Sequence, residues 1–293
     1  MRRPLASLLT LALYLATAPG FAAGAAFTSE NFRFPGAGTV LAGTLVTPAK
    51  ISAAVVLVQG AGQTQRMLAF ADALAKQGIA TLTYDKRGVG ESSGLYAGPE
   101  VGSNDLEPSN LQLLAADAAA AVRELVRKLP SDHGPVGVIG FSHGGWVVPL
   151  AARINADIAF MVLWSGPLVT THEQLRFQDF TEQQPDFWDH HTEAQVRERI
   201  VSGASDRLHF ADDDPLDALK DLSIPGLWLY AGRDVNVPVG LSIERLKTLA
   251  DQGKPLEYQL LPPSGQKLDE KAAFAATVAW IQARKSPATA AAP

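Results

Sequence analysis

The stretch Val138-Ile139-Gly140-Phe141-Ser142-His143-Gly144-Gly145-Trp146 decides the fold. A short apolar run ends at a serine with a glycine two residues away on each side, the G-x-S-x-G pattern of a sharp turn from a strand into a helix. The serine of such a turn sits in a strained backbone conformation. The residues two before and two after it must then be nearly free of side chain so that strand and helix can approach, and Gly140 and Gly144 answer that need. Trp146 to Arg153 reads as the helix, whose N-terminal amides would present a fixed positive dipole to the serine oxygen. Ser142 is thus a candidate nucleophile, and the N–H of His143 a candidate donor to the negative charge that develops when a carbonyl is attacked. Inside the helix, Pro149 has no N–H and its ring presses on the carbonyl of Gly145, which predicts a kink.

Working outward toward the N-terminus, Val136 to Ile139 is the strand that feeds the turn. Before it, Leu111, Leu114, Ala115, Ala118, Val122, Leu125, Val126 and Leu129 keep one apolar stripe along a helix. Ala53 to Val58 is a continuous apolar run, the signature of a strand buried on both faces. A helical pattern from Met67 to Ala75 follows and stops at Gly78, and Ile79 to Tyr84 is again a strand, completing a βαβ unit. Phe32 to Phe34 and Leu41 to Val46 alternate around Pro35-Gly36-Ala37-Gly38, which reads as a hairpin that starts the sheet.

Two loops of this half invite a phosphate or dinucleotide reading. Gly60-x-Gly62 after a strand, with Asp85 closing the next one, imitates a dinucleotide fingerprint, but Gln65 stands where the third glycine belongs. The competing reading is that the turn supplies a backbone N–H, from Ala61, as the partner of the His143 amide in an oxyanion hole. Asp85-Lys86-Arg87-Gly88-Val89-Gly90-Glu91-Ser92 lacks the spacing and the Lys-Ser/Thr ending of a P-loop. A structural role is favoured, in which Asp85 and Arg87 pin the loop beside the site through charge-assisted hydrogen bonds.

Toward the C-terminus, Ile158 to Trp164 is the next buried strand. From about 168 to 219 the pattern turns polar, charged and aromatic, with Phe177, Phe180, Phe187, Trp188 and Phe210, which reads as a helical cap because clustered aromatics need something to bury against. Ile224 to Tyr230 resumes the sheet and delivers Gly232-Arg233-Asp234. An acid in the turn after a late strand is where the carboxylate of a Ser, Asp, His chain order belongs, so Asp234 is the candidate orienting acid. A helix from Leu241 to Ala250, a strand from Leu256 to Leu261 and an amphipathic helix carrying Phe274, Val278 and Ile281 close the domain.

With 293 residues and 47% hydrophobic content the chain can bury one large core, and its net charge of −5 with scattered basic residues gives no footprint for nucleic acid. Arg123, Arg127 and Lys128 read as a solvated helix face. Arg2 and Arg3, an apolar run from Leu5 to Leu15 and a small-residue exit near Ala26 have the layout of a signal peptide over 1–26, so an exported (periplasmic or secreted) mature protein is expected. No other segment is long and apolar enough to span a bilayer. The absence of cysteine removes disulfides, thiolate chemistry and Cys-type zinc sites. The expected organisation is a domain over 27–285 with the insertion inside it, and an Ala/Pro tail over 286–293 expected to be disordered. The sequence carries no signal for an oligomeric state.

Taken together these residues resemble the α/β-hydrolase superfamily, and within it exported serine hydrolases similar to dienelactone hydrolases and to serine peptidases of the prolyl oligopeptidase and aminopeptidase type. The most specific marks are Tyr84 to Ser92, Gly140 to Gly145, and Gly232-Arg233-Asp234. The resemblance implies an α/β class fold: a mostly parallel eight-stranded sheet with helices on both faces and a helical cap insertion. It also implies a serine nucleophile and hydrolysis of small-molecule esters, thioesters or peptides without a cofactor or a metal.

One position departs from the family. Its base histidine lies in a loop similar to Leu261-Pro262-Pro263-Ser264-Gly265-Gln266, and the residue at that place here is Gln266; no histidine follows His209. Glutamine can orient Ser142 by hydrogen bonding but takes up no proton near neutral pH. Three readings stand at this point: an enzyme with a substitute base among His190, His191 and His209; a weak hydrolase relying on the oxyanion hole; and a binding protein that keeps the pocket without the chemistry.

Overall fold

The computed structural model describes residues 27–96, 108–202, 210–261 and 268–284. The expected signal peptide, His209, Gln266 and the tail lie outside the described residues. The chain opens with a hairpin, β1 (Phe27–Pro35) and β2 (Val40–Pro48), followed by β3 (Ala53–Val58), α1 (Leu68–Ala75), β4 (Ile79–Tyr84) and α2 (Pro108–Lys128). Then come β5 (Val136–Phe141), α3 (Gly144–Ile154) and β6 (Phe160–Trp164). Among the described residues α4 (Thr171–Thr181), α5 (Phe187–His190), α6 (Glu193–Ser202) and α7 (Pro215–Asp221) intervene before β7 (Gly226–Ala231), α8 (Val239–Asp251), β8 (Leu256–Leu261) and α9 (Glu270–Ala283).

The strands form an eight-stranded sheet in the order β1-β2-β4-β3-β5-β6-β7-β8. The β1–β2 and β2–β4 pairs are antiparallel, and every pair from β4 to β8 is parallel. The all-apolar run in β3 has its physical reason here. Ala54, Val56 and Val58 pack with α2, α3 and α8 on one face, while Ala53, Val55 and Leu57 pack with α1 and α9 on the other. Side chains alternate faces along a strand, so a strand covered on both sides has no polar position to offer. Burial of each Val or Leu among them contributes about 1.5–3 kcal/mol.

The strand order also sets the place of the site. From β3 the chain moves to β4 on one side, then crosses back over β3 to lay β5 on the other. The loops leaving the C-terminal ends of β3 and β5 therefore diverge, and in open α/β sheets such a crevice is where ligands bind.

The insertion between β6 and β7 buries its own aromatics. Phe177, Phe187, Val196 and Ile200 form a cluster with Val169, Val235 and Leu241, and Phe180 and Trp188 pack against it. Phe210 departs from the expected grouping: it packs against the main core and edge-on to His172, with ring centroids 5.0 Å apart. The helices are fastened to the turn after β7 by three consecutive carbonyls. Trp188 Nε1 donates to Asp234 O (2.9 Å), Thr181 Oγ1 to Val235 O (2.8 Å) and Gln174 Nε2 to Asn236 O (2.5 Å).

Candidate active site

Ser142 occupies the turn between β5 and α3 with φ of 46°, in the left-handed region that non-glycine residues avoid. Such a conformation costs on the order of 1–3 kcal/mol and persists only when its surroundings over-determine it. Here they do. The Ser142 amide donates to Trp164 O (2.8 Å), and the Gly145 amide donates back to Ser142 O (2.8 Å). The amides of Ser142, Gly145 and Trp146 are thereby committed to backbone carbonyls, so none of them is the donor for an oxyanion. His143 is the N-cap residue of α3; its side chain is buried, its ring centroid 6.2 Å from that of Trp146.

The glycine demand differs from the expected one. A methyl at Gly140 would stand 2.7 Å from Val148 Cγ2 and 2.9 Å from Leu163 Cδ1, so the strand position must be bare. At Gly144 the nearest atom would be Val58 O at 3.6 Å, an ordinary contact. The close approach falls instead on Gly145, where a Cβ would meet Pro167 O at 2.6 Å and the Pro167 ring at 2.8 Å. Room is thus missing in two places, at Gly140 where β5 meets Val148 of α3 and at Gly145 where α3 meets the exit of β6.

The loop after β3 lies against the elbow. A Cβ at Gly60 would be 3.6 Å from Ser142 Cβ and 3.5 Å from Phe141 O, which brings the Gly60-Ala61 peptide to the candidate nucleophile. The polar loop after β4 is itself pinned by Asp85 and Arg87, as expected, and Asp85 does so through a partner, Arg66, that sequence reading missed. Asp85 accepts from the Arg66 backbone N–H (2.8 Å) and from its guanidinium (3.1 and 2.7 Å), and also from the Glu91 amide (3.0 Å). Burial alone would raise the Asp85 pKa, but the Arg66 hydrogen bonds and the two amides outweigh it and hold the carboxyl below its ordinary range. Arg87 pairs instead with buried Asp117 of α2, at 2.7 and 2.8 Å.

Asp234 sits in the turn after β7, 5% exposed. Its Oδ1 accepts from the amides of Asn236 (2.7 Å) and Val237 (3.1 Å), and the Ser165 side chain lies where it favours the charged carboxylate. Desolvation pushes its pKa above the ordinary value despite the two amide hydrogen bonds and the nearby Ser165. Ser165 was not foreseen. It follows β6, has φ of 47° like the elbow serine, and donates its amide to Leu229 O (2.9 Å). Two serines in left-handed backbone thus stand at the ends of the adjacent strands β5 and β6, one at each end of the Trp164 peptide linkages that tie them.

The described histidines of the insertion at 190 and 191 are engaged locally. His190 is exposed beside Asp186 (3.4 Å), and His191 stacks on Phe187 (centroids 4.2 Å apart) with Nδ1 at 3.0 Å from Phe187 O. Beside the elbow a largely apolar cavity of about 570 Å³ is lined by Met67, Phe70, Phe141, Trp164 and Phe274, together with Glu270 and Lys271. Phe70 is edge-on to Phe141, Trp164 and Phe274 at 5.2 to 5.6 Å. Among the described residues, no cluster of three or more His, Asp or Glu is placed to hold a metal, and no helix is long and apolar enough to cross a membrane.

The fold and the strand-turn-helix serine define the α/β-hydrolases. Residues 49–216 match the family described as serine aminopeptidase, S33, and the chain belongs to that family. Among solved structures it is similar to the Pyrococcus furiosus esterase Pf2001, at 17% identity over 89% of this chain and 92% of that one, with a TM-score of 0.63. It is similar also to a dienelactone hydrolase from Anabaena variabilis, at 18% identity over 88% and 96% with a TM-score of 0.56. A third likeness is to the acylaminoacyl peptidase of Pyrococcus horikoshii, at 17% identity over 82% of this chain and 38% of that one, TM-score 0.56. No curated protein matches the sequence.

Proposed function

We propose that the protein is a serine hydrolase acting on carboxylic esters, with thioesters and peptides as the neighbouring chemistries, through an acyl-enzyme on Ser142. The single observation that carries this reading is Ser142 held at positive φ between a parallel strand and a helix, with the Gly60-Ala61 peptide against it. The amides of Ala61 and His143 would stabilise the developing oxyanion, and Asp234 would orient the residue in the base position, Gln266. An oxyanion hole without a base still accelerates: in subtilisin, loss of the triad costs roughly a millionfold in turnover and leaves roughly a thousandfold or more over water.

A second reading, a catalytically inactive α/β-hydrolase-like binding protein, is favoured by the glutamine at 266 and by the local commitments of His190 and His191. One comparison separates the two. Ser142 of the wild type should react with an aryl phosphonate and hydrolyse a short-chain aryl ester, Ser142→Ala should do neither, and Gln266→His should hydrolyse faster by roughly a hundredfold to ten-thousandfold. Equal rates for wild type and Ser142→Ala would leave only the binding protein.

A further inference from the structure

The loop after β3 and the segment after β4 meet at one buried side chain. The ammonium of Lys86 donates to the carbonyl of Gly60 and to that of Gly62 (3.1 Å), and it stands 5.6 Å from the centre of the Tyr96 ring. The charged residues on either side are occupied elsewhere, Asp85 with Arg66 and Arg87 with Asp117. Lys86 alone of the three reaches the two carbonyls that bracket Ala61.

A trans peptide is a rigid plane in which the carbonyl of one residue and the N–H of the next point in opposite directions. Holding the Gly60 carbonyl toward Lys86 therefore aims the Ala61 N–H away from Lys86, in the peptide unit that lies against Ser142. We infer that Lys86 is the positioning residue of the oxyanion hole, fixing the Ala61 amide through its two neighbouring carbonyls. The inference rests on the hydrolase reading above and names what holds one of its parts. A glycine on each side of Ala61, with Gly62 at φ of 90°, gives this tripeptide more backbone freedom than most to lose. An oxyanion donor works only when its direction is set before the reaction, and two charge-assisted hydrogen bonds set it. The cation has a second effect. Bound to the carbonyl oxygen, it polarises the Gly60-Ala61 amide and makes its N–H a stronger donor.

The test uses the full chain with Lys86→Met, which keeps the stem and removes the donor, and Lys86→Gln, which keeps a neutral donor. Hydrogen exchange of the 59–64 amides reads the anchoring directly, and should rise by about tenfold or more in Lys86→Met with a smaller rise in Lys86→Gln. The rate of Ser142 phosphonylation and kcat for the aryl ester should fall by about ten- to a hundredfold while KM stays near the wild-type value, because the lost interaction belongs to the transition state. Should Lys86→Met fail to fold, Lys86→Gln is read by the same two measurements. Unchanged exchange in the folded variants, or a loss confined to KM, overturns the inference. A wild type inert to the phosphonate would overturn the hydrolase reading instead, and the exchange result would still decide whether Lys86 holds the loop.

Discussion

Two glycines at the start of α3 should respond in opposite ways to the same methyl group. At Gly145 an added Cβ stands 2.6 Å from Pro167 O and 2.8 Å from Pro167 N and Cδ, whereas an unstrained carbon–oxygen approach is about 3.4 Å. All three atoms belong to backbone or to a pyrrolidine ring, so none can rotate aside. Overpacking of this kind costs about 1–3 kcal/mol, and the rigid partner argues for the upper end. Alanine returns up to about 1 kcal/mol over glycine in a helix, leaving a net loss of about 2 kcal/mol for Gly145→Ala. For a domain of this size that lowers Tm by about 4–8 °C. At Gly144 the nearest atom is 3.6 Å away, so Gly144→Ala keeps the helix gain and melts at or above the wild-type temperature. Relief at Gly145 requires the first turn of α3 to back away from Pro167, and the 2.8 Å bond from the Gly145 amide to Ser142 O carries the serine with it. Phosphonylation of Ser142 should therefore slow by about ten- to a hundredfold in Gly145→Ala and hold in Gly144→Ala. Calorimetry and the labelling rate, run on both variants, decide the matter. Equal melting temperatures would show that α3 packs on the β6 exit more loosely than these distances imply.

Two further outcomes follow from the ion pairs. Arg87→Met strands the buried Asp117 carboxylate and should cost about 3–5 kcal/mol by denaturant unfolding, a large part of which returns on adding Asp117→Asn; equal losses in single and double variants would refute the buried-charge account. Asp85, whose folded pKa is lowered, contributes stability that is complete above its unfolded value of about 3.9 and is lost as pH falls through the lower folded one. The stability gap between wild type and Asp85→Asn should be level near neutrality and shrink in acid, and a gap that widens on acidification would reverse the sign argued here.

The parts of the fold that were legible in the chain are those where periodicity and burial agree. β3, β4 and β8 begin and end where their apolar or alternating runs do, because a strand covered by helices or paired at an edge has a residue pattern of its own. Gly140, Ser142 and Asp234 were legible because their places along the chain are tied to strand ends. Arg66 was not, since it stands in an aperiodic loop and its partner Asp85 is 19 residues away. Ser165 was hidden for a similar reason: its left-handed backbone and the hydrogen bond from its amide to Leu229 O depend on β6 and β7 lying side by side. The choice between Gly144 and Gly145 turned on a neighbour, Pro167, that only the folded chain supplies.

The three carbonyls through which the insertion grips residues 234–236 bear on how this protein could be redesigned. An inserted module that touched only the rim of a crevice could be cut out or exchanged without consequence for the residues beneath. Here the peptide that carries the acid at 234 is also the mooring of Trp188, and the next two peptides moor Thr181 and Gln174. Removing α4 to α6 would strip those acceptors of their donors and loosen the turn that aims the carboxylate. A graft of another insertion onto this scaffold must therefore bring its own turn after β7, so that the two travel between proteins as one part.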